Sequence, residues 1–220
     1  MNPKPDQASV LREIIASRRS IRRFTSEPVP DEHLLEILDA ARLAPSAGNQ
    51  QMWHFLVVRS AAVKETMRKA VLDSLEEILT WKEATPEYQA DLRNVVPAFA
   101  TFFADAPVVI AVLSKPYITP LDSGLLPAHG LTFEQIHRWR GDPGRQSVGA
   151  AVENLLLMAH ALGYGTCWMT GPLVGTFGLE RVLGIRDPWR LVAIVPLGVP
   201  AQSPPARPRR DLDEIYTFVE

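Results

Sequence analysis

Residues 107–113 constrain the fold of this chain more than any other segment. They read Pro-Val-Val-Ile-Ala-Val-Leu, a continuous apolar run that is rich in β-branched side chains. A strand with one face in water alternates apolar and polar residues, whereas a strand covered on both faces is apolar throughout. We therefore predict that residues 107–113 form a central strand with other elements packed on both of its faces.

Several segments with helical spacing are available to cover such a strand. Residues 31–44 place apolar side chains on one face and begin with two carboxylates, Asp31 and Glu32, which the helix dipole favours in a first turn. Residues 147–162 repeat apolar groups at helical spacing with little polarity between them, so this helix is expected in the interior or between subunits. Further helices are predicted at 61–79 and 176–183, and strands at 55–58, 166–169 and 190–197. This alternation predicts an α+β fold with α/β layering.

Length, composition and charge narrow the class of protein. The chain has 220 residues, of which 46 % are hydrophobic, enough for a substantial core in one domain or in half of an intertwined dimer. Its formal net charge of −2 gives no overall attraction to nucleic acid. Its apolar runs are shorter than the roughly 20 residues of a membrane helix, and residues 1–9 lack the apolar core of a signal peptide. We expect a cytoplasmic protein that binds neither nucleic acid nor membranes.

Four arginines occur within six residues near the N-terminus, where a short helical pattern ends. They are Arg18, Arg19, Arg22 and Arg23, and Ser20 lies among them. A guanidinium group is a planar fork of donors that matches phosphate oxygens, and a neighbouring hydroxyl can donate to the same oxygens. The cluster predicts a ligand that carries a phosphate, and the alternative is a solvated basic surface.

A turn-forming stretch rich in amide side chains leads into the strand predicted at 55–58. Pro45 can end the preceding helix, and Gly48 permits backbone angles that other residues avoid. The polar side chains of Ser46, Asn49 and Gln51 can pair with a polar heterocycle. This stretch is either part of a ligand site or an ordinary turn between a helix and a strand.

Taken together, the two segments resemble the N-terminal FMN-binding motifs of the nitroreductase-like flavoproteins. The matching patterns are Arg-Arg-Ser-x-Arg-x-Phe at 18–24 and Pro-Ser-x-x-Asn-x-Gln-x-Trp at 45–53. Shorter similarities lie at 163–166, 170–172 and 208–215, whereas residues 73–145 match poorly. The resemblance therefore covers both ends and most of the length of the chain.

The resemblance implies an architecture as well as a cofactor. A nitroreductase-like fold has a central mixed, largely antiparallel sheet flanked by helices, and it forms an intertwined homodimer. Residues 1–220 would then be a single domain, with 199–220 as a C-terminal arm that crosses to the partner subunit. Prolines at 200, 204, 205 and 208 suit an extended arm, because proline resists helix and favours extended backbone.

The same resemblance implies which residues hold FMN. The residues similar to those that hold the phosphate, the ribityl chain and the pyrimidine edge are Arg18, Arg19, Ser20 and Arg22, completed by Arg209 and assisted or replaced by Arg210. The residues similar to the loop supplied by the second subunit are Pro45, Ser46, Ala47 and Asn49. The residues similar to the segment that approaches flavin N5 are Thr170 and Gly171.

The implied activity is that of an FMN-dependent NAD(P)H oxidoreductase. Such an enzyme transfers hydride by a ping-pong mechanism to nitroaromatic, quinone or related acceptors, and the flavin performs the chemistry, so no catalytic side chain is assigned. Arg22 is the candidate for the cation that stabilises the reduced flavin. The alternatives are a reductive dehalogenase or a flavin-fragmenting enzyme of the same fold, or a non-catalytic FMN-binding protein.

Residues 73–145 are expected to form a variable lid or insert region that carries substrate specificity, because long irregular segments often form binding loops. Among their aromatic residues, the candidates for the substrate pocket are Phe102, Phe103 and Trp139. The histidines show no spacing typical of metal ligands, so no metal site is predicted. The single cysteine, Cys167, is predicted to be a buried and unreactive core residue.

Overall fold

The computed structural model describes residues 5–219 and has a four-stranded sheet at its centre. The strands are hydrogen-bonded in the order β1-β2-β4-β3, and each neighbouring pair is antiparallel. Their bounds are Trp53–Val58 for β1, Val108–Ser114 for β2, Gly165–Thr166 for β3 and Arg190–Gly198 for β4. All 7 residues of β2 are buried, which confirms the central strand predicted at 107–113.

The α-helices account for most of the remaining chain. In order they are α1 (Pro5–Ser17), α2 (Asp31–Arg42), α3 (Ala61–Leu79), α4 (Pro86–Asn94), α5 (Val96–Thr101), α6 (Leu126–Ala128), α7 (Phe133–Arg140), α8 (Pro143–Ala161) and α9 (Thr176–Leu183). Short 3₁₀ turns lie at Ala47–Asn49, Phe102–Asp105, Gly171–Gly175 and Leu212–Glu214, and a π-helical turn lies at Leu121–Leu125. Within residues 5–219, no helix has both the length and the apolar composition needed to cross a membrane.

The helices predicted from apolar spacing are confirmed, with shifts at their ends. The predictions at 61–79 and 176–183 coincide with α3 and α9. The helix predicted to begin at residue 147 instead begins at Pro143, because the Asp142 side chain accepts a hydrogen bond from the Arg145 backbone N–H (3.2 Å) and proline suits a first helical position.

The sheet lies between two layers of helices, which explains the composition of β2. Its even-numbered residues, from Val108 to Val112, belong to one buried cluster with α2 and α8. Its odd-numbered residues, from Val109 to Leu113, belong to a second buried cluster with α3 and α9. Because neither face of β2 meets water, every position in the strand is apolar or small, and the chain has the predicted α+β fold.

The strand predicted at 166–169 is only partly present. β3 ends at Thr166, and Met169 forms an isolated bridge to Ile194 in which the two residues exchange backbone hydrogen bonds of 2.9 and 3.0 Å. The register that pairs Thr166 with Leu197 and Met169 with Ile194 places Cys167 opposite Pro196. Since proline has no N–H to donate, the ladder is interrupted at that pair.

The arginine segment joins the edge of the sheet beyond β3. Ser20 forms a parallel bridge with Thr166, and the Ile21 N–H donates to the Thr166 carbonyl at 2.9 Å. Ile21 is buried and packs directly on Gly165, where an added Cβ would lie 2.6 Å from the Ile21 side chain. The parallel bridge makes the sheet mixed but largely antiparallel, as predicted.

The expectation of a long irregular segment at 73–145 is wrong in part. The segment includes the end of α3, the helices α4 to α7 and the central strand β2. It cannot be an insert as a whole, because β2 is required by both buried layers of the core. Residues 80–107 and 115–142 lie outside the main core elements α3, β2 and α8, although Ala100 and Phe103 are buried in the second cluster.

The C-terminal arm follows β4 along the arginine segment and then extends over the surface. The Ala201 N–H donates to the Arg23 carbonyl at 2.9 Å, and Phe24 bridges Pro200. Residues 205–219 are exposed throughout. Within residues 205–219 the structure has one regular element, the 3₁₀ turn at Leu212–Glu214.

Replacing Gly165 with alanine should destabilise the protein and disturb the arginine segment. The new methyl would overlap Ile21, and overpacking of this kind costs about 1–3 kcal/mol. Urea denaturation should therefore show a lower free energy of unfolding for Gly165→Ala. At Gly124 an added Cβ meets no atom within 4 Å, so Gly124→Ala is the control, and equal losses in the two variants would contradict this account.

Candidate functional site

The arginine segment and the C-terminal arm enclose a cleft of about 640 Å³. The segment contributes the end of α1 and the residues that follow it: Ile15, Ala16, Arg18, Arg19, Ser20 and Arg22. The arm contributes Pro204, Pro205, Ala206, Arg207 and Arg209. The described lining residues thus include five arginines and no aspartate or glutamate, a charge distribution that suits an anionic ligand.

Local contacts fix the backbone of the arginine segment. At the end of α1, the Ser17 hydroxyl donates to the Glu13 carbonyl at 2.7 Å and lies 2.8 Å from His160 Nε2 on α8. Ser20 and Ile21 then bind the sheet edge as described above. The arginines between these anchors therefore project from a backbone held at both ends.

Three of the arginines also make contacts within the chain, and the weakest hydrogen bond is that from Arg22 Nη1 to the Ser20 carbonyl at 3.5 Å. Arg19 Nη1 donates to the carbonyls of Ala16 (2.7 Å) and Arg18 (2.9 Å), which satisfies acceptors at the end of α1. Arg18 Nε lies 3.9 Å from Glu153 Oε1, at the outer limit of an ion pair. This contact leaves most of the positive charge of the cleft uncompensated.

The positive charge of the cleft also acts on the neighbouring titratable groups. Burial lowers the pKa of His160, and the nearby guanidinium groups of Arg18 and Arg19 lower it further. Burial raises the pKa of the Cys167 thiol, although Arg22 and a hydrogen bond with Ser20 oppose that rise. Cys167 is buried as predicted, and it lies directly behind the arginine segment.

The loop at 45–51 is a separate part of the surface and does not line the arginine cleft. The Ala47 N–H donates to the Ser147 hydroxyl (3.2 Å), and the Gln51 N–H donates to the Ser46 hydroxyl (3.0 Å). Gly48 and Asn49 both adopt positive φ angles, of 54° and 52°. Such strained loops are often ligand-binding segments, and this one leaves Asn49 exposed.

Thr170 and Gly171 lie on a third part of the surface, near α5. Gly171 begins a 3₁₀ turn, and its missing Cβ would lie 3.8 Å from the Phe99 carbonyl oxygen. Both residues are exposed and neither lines the arginine cleft. The predicted cofactor residues therefore form three separate groups in one chain, and the residues predicted to hold the phosphate, apart from Arg210, line the arginine cleft.

The substrate-pocket candidates occupy three different environments. Phe103 has no exposed surface and packs in the cluster around α3 and α9, so its assignment to a substrate pocket is wrong. Phe102 is partly buried against the same cluster, and Trp139 is 73 % exposed on α7. Phe99 is also exposed and lies beside Gly171, although the sequence did not single it out.

The arm supplies a different second arginine from the one predicted. Arg209 lines the cleft as expected, but Arg207 accompanies it there, whereas Arg210 is not among the lining residues. Residues 204–207 line the cleft consecutively, so a simple alternation of side chains along the arm does not separate Arg207 from Arg210, and no sequence signal identified Arg207.

Known proteins share this fold and this sequence pattern. The sequence profile of the nitroreductase family matches residues 15–199. A protein of Methanothermobacter thermautotrophicus, provisionally named NADH dehydrogenase/NAD(P)H nitroreductase, is 33 % identical over 211 residues, which cover 93 % of this chain and 84 % of the relative. The chain therefore belongs to the nitroreductase family of oxidoreductases, which confirms the resemblance seen in its motifs.

Solved structures agree with this assignment. A BluB-like flavoprotein from Clostridium difficile 630 matches with a TM-score of 0.85 at 33 % identity, covering 96 % of this chain and 99 % of that one. An iodotyrosine deiodinase bound to FMN and 3-iodo-L-tyrosine matches with a TM-score of 0.69 at 25 % identity, again covering 96 % and 99 %. The fold is thus the nitroreductase fold over nearly the whole chain.

Anion binding in the cleft should raise the pKa of His160. A phosphate would offset the field of Arg18 and Arg19, which now disfavours the imidazolium form. Proton NMR titration of the histidine ring should show this rise when inorganic phosphate is added. The Arg18→Gln variant should show a higher pKa for His160 even without phosphate. An unchanged pKa in both experiments would contradict the proposed field.

Proposed function

We propose that the arginine cleft binds the phosphate of FMN and that the protein is an FMN-dependent NAD(P)H oxidoreductase. The observation that carries this proposal is a cleft whose described lining residues include five arginines and no acidic residue, in a chain of the nitroreductase family. A phosphate monoester brings a charge of about −1.5 to −2 near neutral pH, together with three acceptor oxygens. Guanidinium groups and the Ser20 hydroxyl are the donors that such a group requires.

The bound flavin would accept hydride from a nicotinamide and pass it to a second substrate, so the protein supplies binding, orientation and charge. Arg18, Ser20, Arg207 and Arg209 would hold the phosphate. Arg22 would stabilise negative charge on the reduced ring, because a fixed cation stabilises charge that develops nearby. Nitroaromatics, quinones and related compounds are the proposed acceptors, and exchange at one face of the flavin would give ping-pong kinetics.

We further propose that the active form is a homodimer whose interface completes the cofactor site. The loop at 45–51 and the turn at Thr170 lie outside the arginine cleft of their own chain. On α1 and on the arm, apolar side chains are more than half exposed, among them Val10, Leu11, Ile15, Leu212 and Phe218. Exposed apolar surface of this kind is typical of a subunit interface.

A reductive dehalogenase is the second candidate, because a similar solved structure is an iodotyrosine deiodinase. The amino-acid part of such a substrate requires a cation for its carboxylate. Residues 96–105, which form α5 and the following turn beside Gly171, contain no lysine or arginine. This composition favours an acceptor without a carboxylate over a zwitterionic substrate.

Removing an arginine from the cleft should weaken FMN binding without unfolding the protein. Arg18→Ala and Arg209→Ala each remove a charge-assisted hydrogen bond to phosphate, worth about 1.5–3 kcal/mol. Equilibrium dialysis or flavin fluorescence should show the loss. Arg210→Ala is the matched control, because Arg210 lies on the arm but does not line the cleft. Equal FMN affinity in the Arg209 and Arg210 variants would refute the phosphate assignment.

Reduction of the flavin under anaerobic conditions tests the activity. Adding NADH or NADPH to the FMN-loaded protein should bleach the visible flavin spectrum, and a quinone or nitroaromatic should then restore it. A flavin that stays oxidised with both nicotinamides would overturn the reductase proposal in favour of the alternatives with the same fold.

A further inference from the structure

A small pocket lies between the π-helical turn at Leu121–Leu125 and α7, away from the arginine cleft. Its volume is about 100 Å³, which is close in scale to the apolar cavity of about 150 Å³ that binds benzene. Its apolar lining includes Tyr117, Ile118, Ile136 and Pro143. We call it the α7 pocket, and its size suits a single aromatic ring rather than a flavin or a dinucleotide.

Among the described lining residues, the charged side chains of the α7 pocket are Asp122 and Arg140, which form an ion pair. Asp122 Oδ1 lies 3.1 Å from Arg140 Nε, and the Asp122 side chain is only 8 % exposed. The Asp122 Oδ2 atom accepts hydrogen bonds from the backbone N–H and the hydroxyl of Thr119. The aspartate is thus held on its side of the pocket by two donors as well as by the arginine.

This arrangement makes the pocket electrically neutral. Hydrogen bonding from Thr119 lowers the pKa of Asp122, and Arg140 adds to that effect, so the carboxylate is ionised at neutral pH. Its negative charge offsets the positive charge of Arg140. Arg140 still lines the pocket and retains 32 % of its side-chain exposure, so it offers hydrogen-bond donors without a net positive charge.

The α7 pocket is attached to the loop at 45–51. Gln50 Nε2 donates to the Ile118 carbonyl at 2.9 Å, and the Ile118 N–H donates back to Gln50 Oε1 at 3.4 Å. An added Cβ at Gly48 would lie 3.4 Å from the Tyr117 hydroxyl. The pocket therefore lies next to the loop that the proposed function places against the flavin.

We propose that the α7 pocket is the specificity-determining part of the acceptor site and that it selects neutral aromatic acceptors. Arg140 would donate to an oxygen of the nitro or quinone group, while the apolar wall contacts the ring. An acceptor with a carboxylate would lose its hydration without meeting an uncompensated cation, because Asp122 already offsets Arg140. This inference rests on the proposed function for the role of the pocket, but the charge balance stands on the geometry alone.

The test compares nitrobenzene with 4-nitrobenzoate, which differ by one carboxylate on the same ring. Isothermal titration calorimetry on the FMN-loaded protein gives the ratio of the two affinities, and steady-state kinetics give the ratio of kcat/KM. The wild-type protein should favour nitrobenzene in both ratios. Asp122→Asn should shift both ratios toward 4-nitrobenzoate by about tenfold or more, since an uncompensated guanidinium then meets the carboxylate.

Two further variants isolate the cause of the shift. The double variant Asp122→Asn/Arg140→Gln should lose the shift, because no cation remains in the pocket. Asp73→Asn makes the same chemical change at the exposed Lys69–Asp73 pair on α3 and should leave both ratios at the wild-type value. A ratio that is unchanged in Asp122→Asn, or equally changed in Asp73→Asn, would overturn the inference.

The two proposals fail in distinguishable ways. If the shift in binding occurs but NADH and NADPH do not reduce the flavin, the α7 pocket is supported and the reductase function fails. If the nicotinamides reduce the flavin but Asp122→Asn leaves both ratios unchanged, the reductase function stands and the α7 pocket does not determine acceptor specificity.

Discussion

The attachment of Ile21 to the sheet edge is the contact on which the candidate site depends. Ile21 is buried against Gly165, and its N–H donates to the Thr166 carbonyl. This contact fixes the backbone of the arginine segment, so the side chains of Arg18, Arg19 and Arg22 line one cleft. The same edge receives the start of the C-terminal arm at Phe24 and Arg23, which is why the arm's arginines reach the same cleft.

The periodic parts of the fold could be predicted from the sequence. The apolar run of β2 and the helical spacing of α3, α8 and α9 report directly on burial, because each requires water to be absent from a defined face. The strand predicted at 166–169 is only partly present, and the reason lies in the sequence of its partner strand β4. The register between the pairs Thr166–Leu197 and Met169–Ile194 places Pro196 opposite Cys167, and the propensity of one strand carries no information about its partner strand.

The candidate site could be predicted only in part. The motif residues Arg18, Ser20 and Arg22 lie together because they are adjacent in the sequence, and the prediction needed no tertiary information. The assignment of Phe103 to a pocket was wrong, because the sequence does not distinguish a phenylalanine that packs in a core from one that covers a pocket. The α7 pocket was not anticipated, because Asp122 and Arg140 are distant in sequence and meet only through the tertiary fold.

Charge balance distinguishes the two sites of this protein. Within residues 5–219, the arginine cleft is lined by five arginines and by no acidic side chain, whereas Arg140 in the α7 pocket is offset by Asp122. The first arrangement suits an anion such as a phosphate, and the second suits a polar but uncharged group. The positively charged cleft would then select the anionic cofactor, and the neutral α7 pocket would select an uncharged acceptor.

Comparison of FMN with riboflavin tests the central claim most directly, because the two molecules differ only by the phosphate. Binding can be followed by quenching of flavin fluorescence at fixed, low salt. FMN should bind at least a hundredfold more tightly than riboflavin, since about two charge-assisted hydrogen bonds of 1.5–3 kcal/mol each are lost with the phosphate. Equal affinity for FMN and riboflavin would contradict the assignment of the arginine cleft.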